Sequence, residues 1–525
     1  MSLTPAQPPQ VRLEVGGTTL PGPTAAALVA LHVRQVLAEP SLCELVFAQP
    51  PGPLDAADTL TPGATLGVTI AGQATPLFEG DITAAEHVYE PDRGRTLRIR
   101  GYDRLHRLRQ RQQVRVFEDT SAGHLAQVLG ADAGLSVDAA IEGPTIARLV
   151  QDRRTDLGLL TMVTESAGLY PVVRGDTLHL VSLEGLAEEA PRLFLGRTLY
   201  EASFEANAGP ALDTVTATGW DATTGVPVTA AASPARSGRT SPAVAPASAL
   251  GTDPRDLVDV AAPTTDRAQA RAQAELDRSA AASVVFRGVA MGDPRLRPGT
   301  PVEVEGVDAR FAGRYVVVEA EHTIDAERGY LCRLSSAPPE PRTEPAGPVH
   351  AVLGVVRDID DPDGLGRVRV TIPTLRDVES SWMQVLTVGA GADKGLVALP
   401  EVDDRVLVLL LHGDPAQGVV LGGLYGPGGP YDTGIEGGRV RRTSLRTPGG
   451  HLVRLDDEAG TLRLDDASGG SVELADHAIR LEDANGNHVE LTRDRVRVHA
   501  ATDLVLEAPG GSVTVRGSSV DFETA

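Results

Sequence analysis

The sequence predicts a mainly β chain in three parts: an α+β N-terminal portion, a small closed barrel, and a C-terminal stack of very short strands. Three observations carry that reading. Up to about residue 200, short alternating stretches mix with a few capped helical segments, without the regular strand–helix alternation of a parallel sheet. Between 349 and 425 the text is strands separated by Gly and Asp turns, and after 451 an apolar-x-apolar pair recurs nine times. The 525 residues include 56 Gly and 38 Pro but only 8 Phe, 8 Tyr and 2 Trp, so the cores must be built from Val, Leu, Ile and Ala.

Along the N-terminal portion, Thr96 to Arg100 alternates with Leu97 and Ile99 on one face. Ser121 is placed to cap a helix carrying Leu125, Val128 and Leu129, with Gly130 as its stop. Thr155 starts another, with Leu157, Leu160 and Val163 before Gly168; Leu178 and Leu180 read as a strand. Residues 223–253, rich in Ala, Ser, Pro, Thr and Gly, read as a flexible excursion. An Ala-rich helix follows over 265–282, then strands near 283–289, 300–304 and 315–319. Five prolines between 337 and 348 mark the clearest boundary, with 341–348 as a linker. Residues 349–428 then suggest a barrel of the OB type, including Arg405 to Leu411, and 429–450 form a neck.

Residues 451–525 hold the most informative pattern. The pairs are Val453/Leu455, Leu462/Leu464, Val472/Leu474, Ile479/Leu481, Val489/Leu491, Val496/Val498, Leu504/Leu506, Val513/Val515 and Val520/Phe522, with starts 7 to 10 residues apart and a 17-residue echo. Each unit is a strand with one apolar face and then a turn, too little to hold a fold by itself, so stacking must complete the core. Two architectures do this: a single-chain β-solenoid, or three chains wound about one axis. The thin core and charged exterior favour the three-chain prism, nine layers and roughly 40 Å long.

Chemistry is scarce. A formal charge of −23 argues against nucleic acid and anionic membranes as partners. All but one of the basic residues, Lys394, are Arg. Gly389 to Gly395 lacks the spacing of a phosphate loop, and the acidic run Asp358 to Gly364 lacks the end carboxylates of a calcium loop. There is no HExxH, no Gly-x-Ser-x-Gly and no zinc-type cysteine spacing; Cys43 and Cys332 read as buried hydrophobes. Glu473, Glu482 and Glu490 sit where a stacked repeat exposes a solvated face, not where a glycosidase pair is required. The expectation is a non-enzyme without cofactor or metal. MSLTPAQPPQ lacks a signal-peptide pattern, which implies synthesis in the cytoplasm.

Read in order, these segments resemble the VgrG-type spike proteins of contractile injection systems, related to contractile phage tail hub and spike proteins. The barrel carries most of the likeness. Its pieces are 361–373 (DPDGLGRVRVTIP, with Gly366 and Arg367), Ser381-Trp382, Leu399 to Val406 (with Pro400), His412-Gly413-Asp414-Pro415, and Val420 to Tyr425. In the hub the matching pieces are Gly101 to Leu105, Phe117, Thr214 to Asp221, Leu296 to Gly299, Gly313 to Val317 and His322.

The resemblance implies a homotrimer with a tandem β-barrel hub, an OB-fold barrel and an intertwined triple-stranded β-helix needle. The first hub barrel, with a helical insertion, would span 1–204 and the second 205–340. The trimer-axis core would be Val472, Leu474, Ile479, Leu481, Val489, Leu491, Val496, Val498, Leu504 and Leu506. Val513, Val515, Val520 and Phe522 would dock a PAAR-type tip protein, while Gly366, Arg367, Trp382, Pro400, Gly413, Asp414 and Pro415 are structural. Further implied partners are a hexameric inner tube protein, baseplate proteins and effector cargo. The expected role is a membrane-puncturing spike in a contractile particle delivered outside the cell. The alternatives are a contractile phage baseplate hub and a tail-associated polysaccharide depolymerase.

Overall fold

The computed structural model describes residues 9–50, 60–91, 94–210, 212–221, 226–242, 255–341 and 350–523. They divide into two compact units, 1–424 and 425–525. Among the described residues no helix is long and apolar enough to cross a membrane.

The first unit is organised by an eleven-stranded half-barrel sheet. One end runs Leu199–Ala206, Val284–Met291, Gly329–Ser335 and Glu319–Asp325; the other runs Leu28–Val36, Leu42–Ala48, Gly94–Tyr102, Phe78–Glu90, Thr65–Ile70, Val11–Val15 and Thr18–Thr19. The halves join where Glu319–Asp325 pairs antiparallel with Leu28–Val36, setting His322 opposite Val33. Alternation puts Leu31, Val33, Leu45, Phe47, Leu97 and Ile99 into one core and Phe286, Ala290, Ala320, Cys332 and Leu334 into a second, which also holds Tyr315. Cys43 and Cys332 are both free and buried.

A helical insertion follows Tyr102. Asp103 anchors it: its carboxylate accepts from the backbone N–H of Ser41 at 2.9 Å and of Leu105 at 3.0 Å, and burial pushes it up to about 6. Helix Ala122–Asp132 is capped by Ser121, whose hydroxyl accepts from His124 N, and helix Asp156–Ser166 by Thr155, which accepts from Gly158 N. Gly130 does not stop the first helix. It is buried inside it, against Val137, and the left-handed residue that ends the turn is Gly134, at φ 75°.

Three of the expected hub assignments change. Residue 204 falls within strand Leu199–Ala206, and Leu193 already packs in the second hub core, so that part of the hub begins near 190. Strand Val215–Asp221 does not join the half-barrel. It forms a three-stranded sheet with Val226–Ala232 and Arg255–Val260, covered by helix Thr265–Ser283. Ala268, Ala272 and Leu276 meet Val215, Ala217 and Ala232, and the small alanines let helix and sheet approach closely. The expected excursion over 223–253 is thus strand at Val226–Ala232; residues 223–225 and 243–253 lie outside the described residues, as does the linker after Pro341.

In the barrel the order is Val378–Glu379, Arg369–Ile372, His350–Asp358, Arg405–Leu410, Gly418–Gly423 and Gln384–Val385. A bridge between Val368 and Met383 ties the second strand to the last and closes the ring. Val356, Val370, Ile372, Val406, Val408, Leu410 and Val420 fill it.

The second unit contains a seven-stranded antiparallel meander in sequence order: Arg442–Arg446, Leu452–Asp456, Thr461–Asp465, Ser471–Ala475, Ala478–Glu482, His488–Thr492 and Val496–His499. The repeat therefore begins inside the expected neck. Each strand pairs with its immediate neighbour, whereas a two-strand solenoid coil would pair strands 17 residues apart. An intertwined needle, with strands of three chains alternating on each face, is also not what the ladder builds. The turns are two to five residues long, and consecutive strands of one chain pair across them. At the usual spacing the seven strands span about 29 Å. The pairs from Leu504 onward lie in no strand among the described residues.

His322 provides a test of the hub. Its ring is fully buried; Nε2–H donates to Leu296 O at 2.9 Å and Nδ1 accepts from Tyr330 OH at 3.1 Å. Burial pushes it down to about 4. The fold holds the neutral ring, so its contribution is complete above pH ~6.5, the unfolded value, and is lost as pH falls toward 4. In denaturant melts at a series of pH values, the stability advantage of wild type over His322→Gln should shrink over that interval. A pH-independent difference would contradict the neutral buried ring.

Candidate functional site: an uncovered apolar face

Strand alternation and ladder register together generate one surface. Leu445, Val453, Leu464, Val472, Leu481, Val489 and Val498 stand directly opposite one another on successive strands. Leu455, Leu462, Leu474, Ile479, Leu491 and Val496 form a second such column beside them. Both columns lie on one face, because the members of each pair are two residues apart. Eight of the ten residues expected at a trimer axis belong to this surface. Leu445 was missed because its strand pairs it with Thr443 rather than a second apolar residue, although its distance from Val453 fits the repeat.

Among the described residues of the second unit, nothing covers this face. Leu462 is 36% exposed, Leu481 53% and Val496 66%, and no buried apolar cluster includes any residue beyond 424. The remaining expected positions, Leu504, Leu506, Val513, Val515, Val520 and Phe522, are exposed and lack ladder partners.

The opposite face is charged. Between the columns, on the reverse side, Arg454, Arg463, Glu473, Arg480, Glu490 and Arg497 follow one another across the strands. Arg463 binds Glu473 at 3.1 Å and Asp465 at 2.7 Å, and Arg480 binds Glu482 at 3.1 Å. These carboxylates raise both guanidiniums above their ordinary value. Glu473 and Glu482 are thus engaged in local ion pairs. Among the described residues no three or more His, Cys, Asp or Glu side chains are placed to hold a metal ion.

Comparison with known proteins agrees with this architecture. The family model for the type VI secretion system/phage-baseplate injector OB domain matches residues 352–425, the barrel. The Alg8 N-terminal domain model matches 42–326, more than half of the chain. The type VI secretion system spike protein VgrG2a of Pseudomonas aeruginosa is 30% identical over 161 residues, 25% of this chain and 19% of that protein. Spike protein VgrG4b of the same organism is 31% identical over 164 residues, 28% of this chain and 20% of its own length. The chain belongs to the VgrG-type spike proteins and carries the Alg8 N-terminal domain. Its match spans no more than about a fifth of either curated relative. A chain of the Francisella PdpA-VgrG complex, half-lidded, shares the fold at 9% identity and a TM-score of 0.55, over 93% of this chain and 87% of that one.

In this spike protein the barrel motif residues do not converge on one pocket; each holds a different turn. Gly366, at φ 70°, lets the chain reverse so that Arg367 reaches back to Asp361, Nε at 3.0 Å and Nη2 at 2.6 Å. Asp361 also accepts from the backbone of Leu365 and Arg367, and its carboxyl is held below the usual carboxylate range, chiefly by Arg367. The acidic turn is therefore a latch. Trp382 lies under the Arg369 guanidinium, 5.7 Å from the ring centre, and Pro400 sits half-buried at the turn before Arg405–Leu410. Gly413, at φ 71°, leads into Asp414, which accepts from Ala416 N and Gln417 Nε2 and is raised by burial beside Arg267 of the hub. The segment after Pro415 docks there: Ala416 packs with Val150 and Val378, and Arg148 donates to Glu379 O at 2.7 Å.

The latch is testable. Arg367→Ala should lower the melting temperature of the barrel, Arg367→Lys should lower it less, and Ala at exposed Arg357 should leave it nearly unchanged, as read by differential scanning calorimetry.

Proposed function

We propose that three copies of this chain bring their apolar faces together around one axis, forming the needle of a puncturing spike in a contractile injection system. The observation that carries this reading is the pair of unbroken apolar columns on a sheet with no core beneath it. Covering a Leu or Val side chain completely stabilises by about 1.5–3 kcal/mol, and a patch of this size is not normally left in water. A triangular prism of three sheets, one per chain, covers all three faces at once and leaves the charged faces outside. This differs from an intertwined arrangement in that each chain supplies a whole side.

Such a needle suits mechanical work, because axial load is shared among ladder hydrogen bonds. The hub would carry the hexameric inner tube protein, since two sheet halves per chain become six in a trimer, and would meet baseplate proteins around it. The segment 504–522, without ladder partners of its own, would be completed by the other two chains and by a PAAR-type tip protein on Val513, Val515, Val520 and Phe522. Effector cargo would travel with the spike, and no step needs an enzyme, cofactor or nucleic acid. The phage-baseplate half of the barrel family's description keeps a contractile phage tail hub as the second reading.

Two outcomes are expected. The native mass should be near three times 54.9 kDa, and a monomer at assay concentrations would overturn the prism. Val489→Asp places three carboxylates in one layer of the core and should abolish trimer recovery, while Glu490→Ala on the reverse face should leave it intact; equal yields from size-exclusion chromatography would sink the model.

A further inference from the structure

The reverse face of the C-terminal sheet carries a third cross-strand column: Leu452, Asp465, Ser471, Glu482, His488 and His499. Its last two members are directly opposite one another on the final two strands, with ring centres 4.9 Å apart and planes inclined by 32°. Two imidazoles bound to one ion at a metal–nitrogen distance of about 2.1 Å, with an angle between square and tetrahedral, place their ring centres roughly 4.5–5.2 Å apart. The pair already has that spacing.

The tautomer is also set. Nδ1 of His488 lies 3.2 Å from Gly486 O, and a carbonyl only accepts, so Nδ1 carries the proton and Nε2 presents its lone pair. His499 is exposed and His488 partly so, which leaves the rest of the coordination shell to water. Glu482 is opposite His488 on its other side but is held by Arg480, and Glu490 and Arg497 form the neighbouring pair on the same face. We propose that His488 and His499 form a two-histidine site for one Zn²⁺, Cu²⁺ or Ni²⁺ ion per chain, with hard ions such as Ca²⁺ and Mg²⁺ excluded by the nitrogen donors.

The ion ties the last strand, Val496–His499, which has a ladder partner on one side only, to the body of the sheet. The site lies within one chain, so it stands whether or not three chains associate.

The test uses the full chain stripped with EDTA and titrated with Zn²⁺ by calorimetry, then loaded with Cu²⁺ for electron paramagnetic resonance. One ion per chain, two-nitrogen coupling in the Cu²⁺ spectrum, and at least tenfold weaker binding in both His488→Gln and His499→Gln are expected, with His477→Gln unchanged. Both histidines sit on a solvated face, and a far-UV spectrum identical to wild type establishes that each variant is folded. Absence of saturable binding, or binding that survives the double substitution, would overturn the site, and the two-nitrogen spectrum on wild type decides the matter if a variant fails to fold.

Discussion

The C-terminal unit depends on register. Every apolar pair is two residues apart and every turn is short, so each Leu, Ile or Val of a pair lands beside another on a neighbouring strand. A slip of one residue at any hairpin would send the following strand's pair to the charged side and break both columns. The turns are therefore as constrained as the core. The two-residue turn at Asp476-His477 places His477 at φ 59°, and the Asp483 carboxylate gathers the backbone of Asn485 and Asn487 around Gly486. One carboxylate at the turn thus protects the face several residues away.

Much of this was legible in the sequence because period-2 alternation is local. The six pairs from Val453 to Val498 could be read from spacing alone, and so could the caps at Ser121 and Thr155. What could not be read was pairing between distant segments. Glu319–Asp325 alternates like any other strand, and nothing in its residues says that its partner is Leu28–Val36. Val226–Ala232 reads as an excursion because Ala and Thr carry little apolar surface, but tertiary packing under an Ala-rich helix needs small residues. The 17-residue echo reflects two hairpin strands of unequal spacing, and was compatible with a coil until the ladder showed neighbour pairing.

The arginine bias also acquires a physical setting. Cross-strand pairs recur along the hub sheet: Arg34 with Glu319 at 2.9 Å, Arg100 with Glu44 at 3.2 Å, Arg287 with Glu205 at 2.9 Å. All are exposed and individually weak, worth about 0.2–1 kcal/mol. The bidentate Arg367–Asp361 contact differs, because both side chains are nearly inaccessible, 6% and 3% exposed, and the fork geometry that lysine lacks is used in full.

The seam between Leu28–Val36 and Glu319–Asp325 also bears on the order of events during synthesis. A strand near the N-terminus waits for a partner almost 300 residues downstream, so the hub sheet cannot close until most of the chain has left the ribosome. By then the strands that carry the uncovered apolar face have yet to emerge. Translation thereby separates two kinds of folding in time: the hub sheet, which covers its own core, closes first, and the stretch with the uncovered apolar face becomes available later.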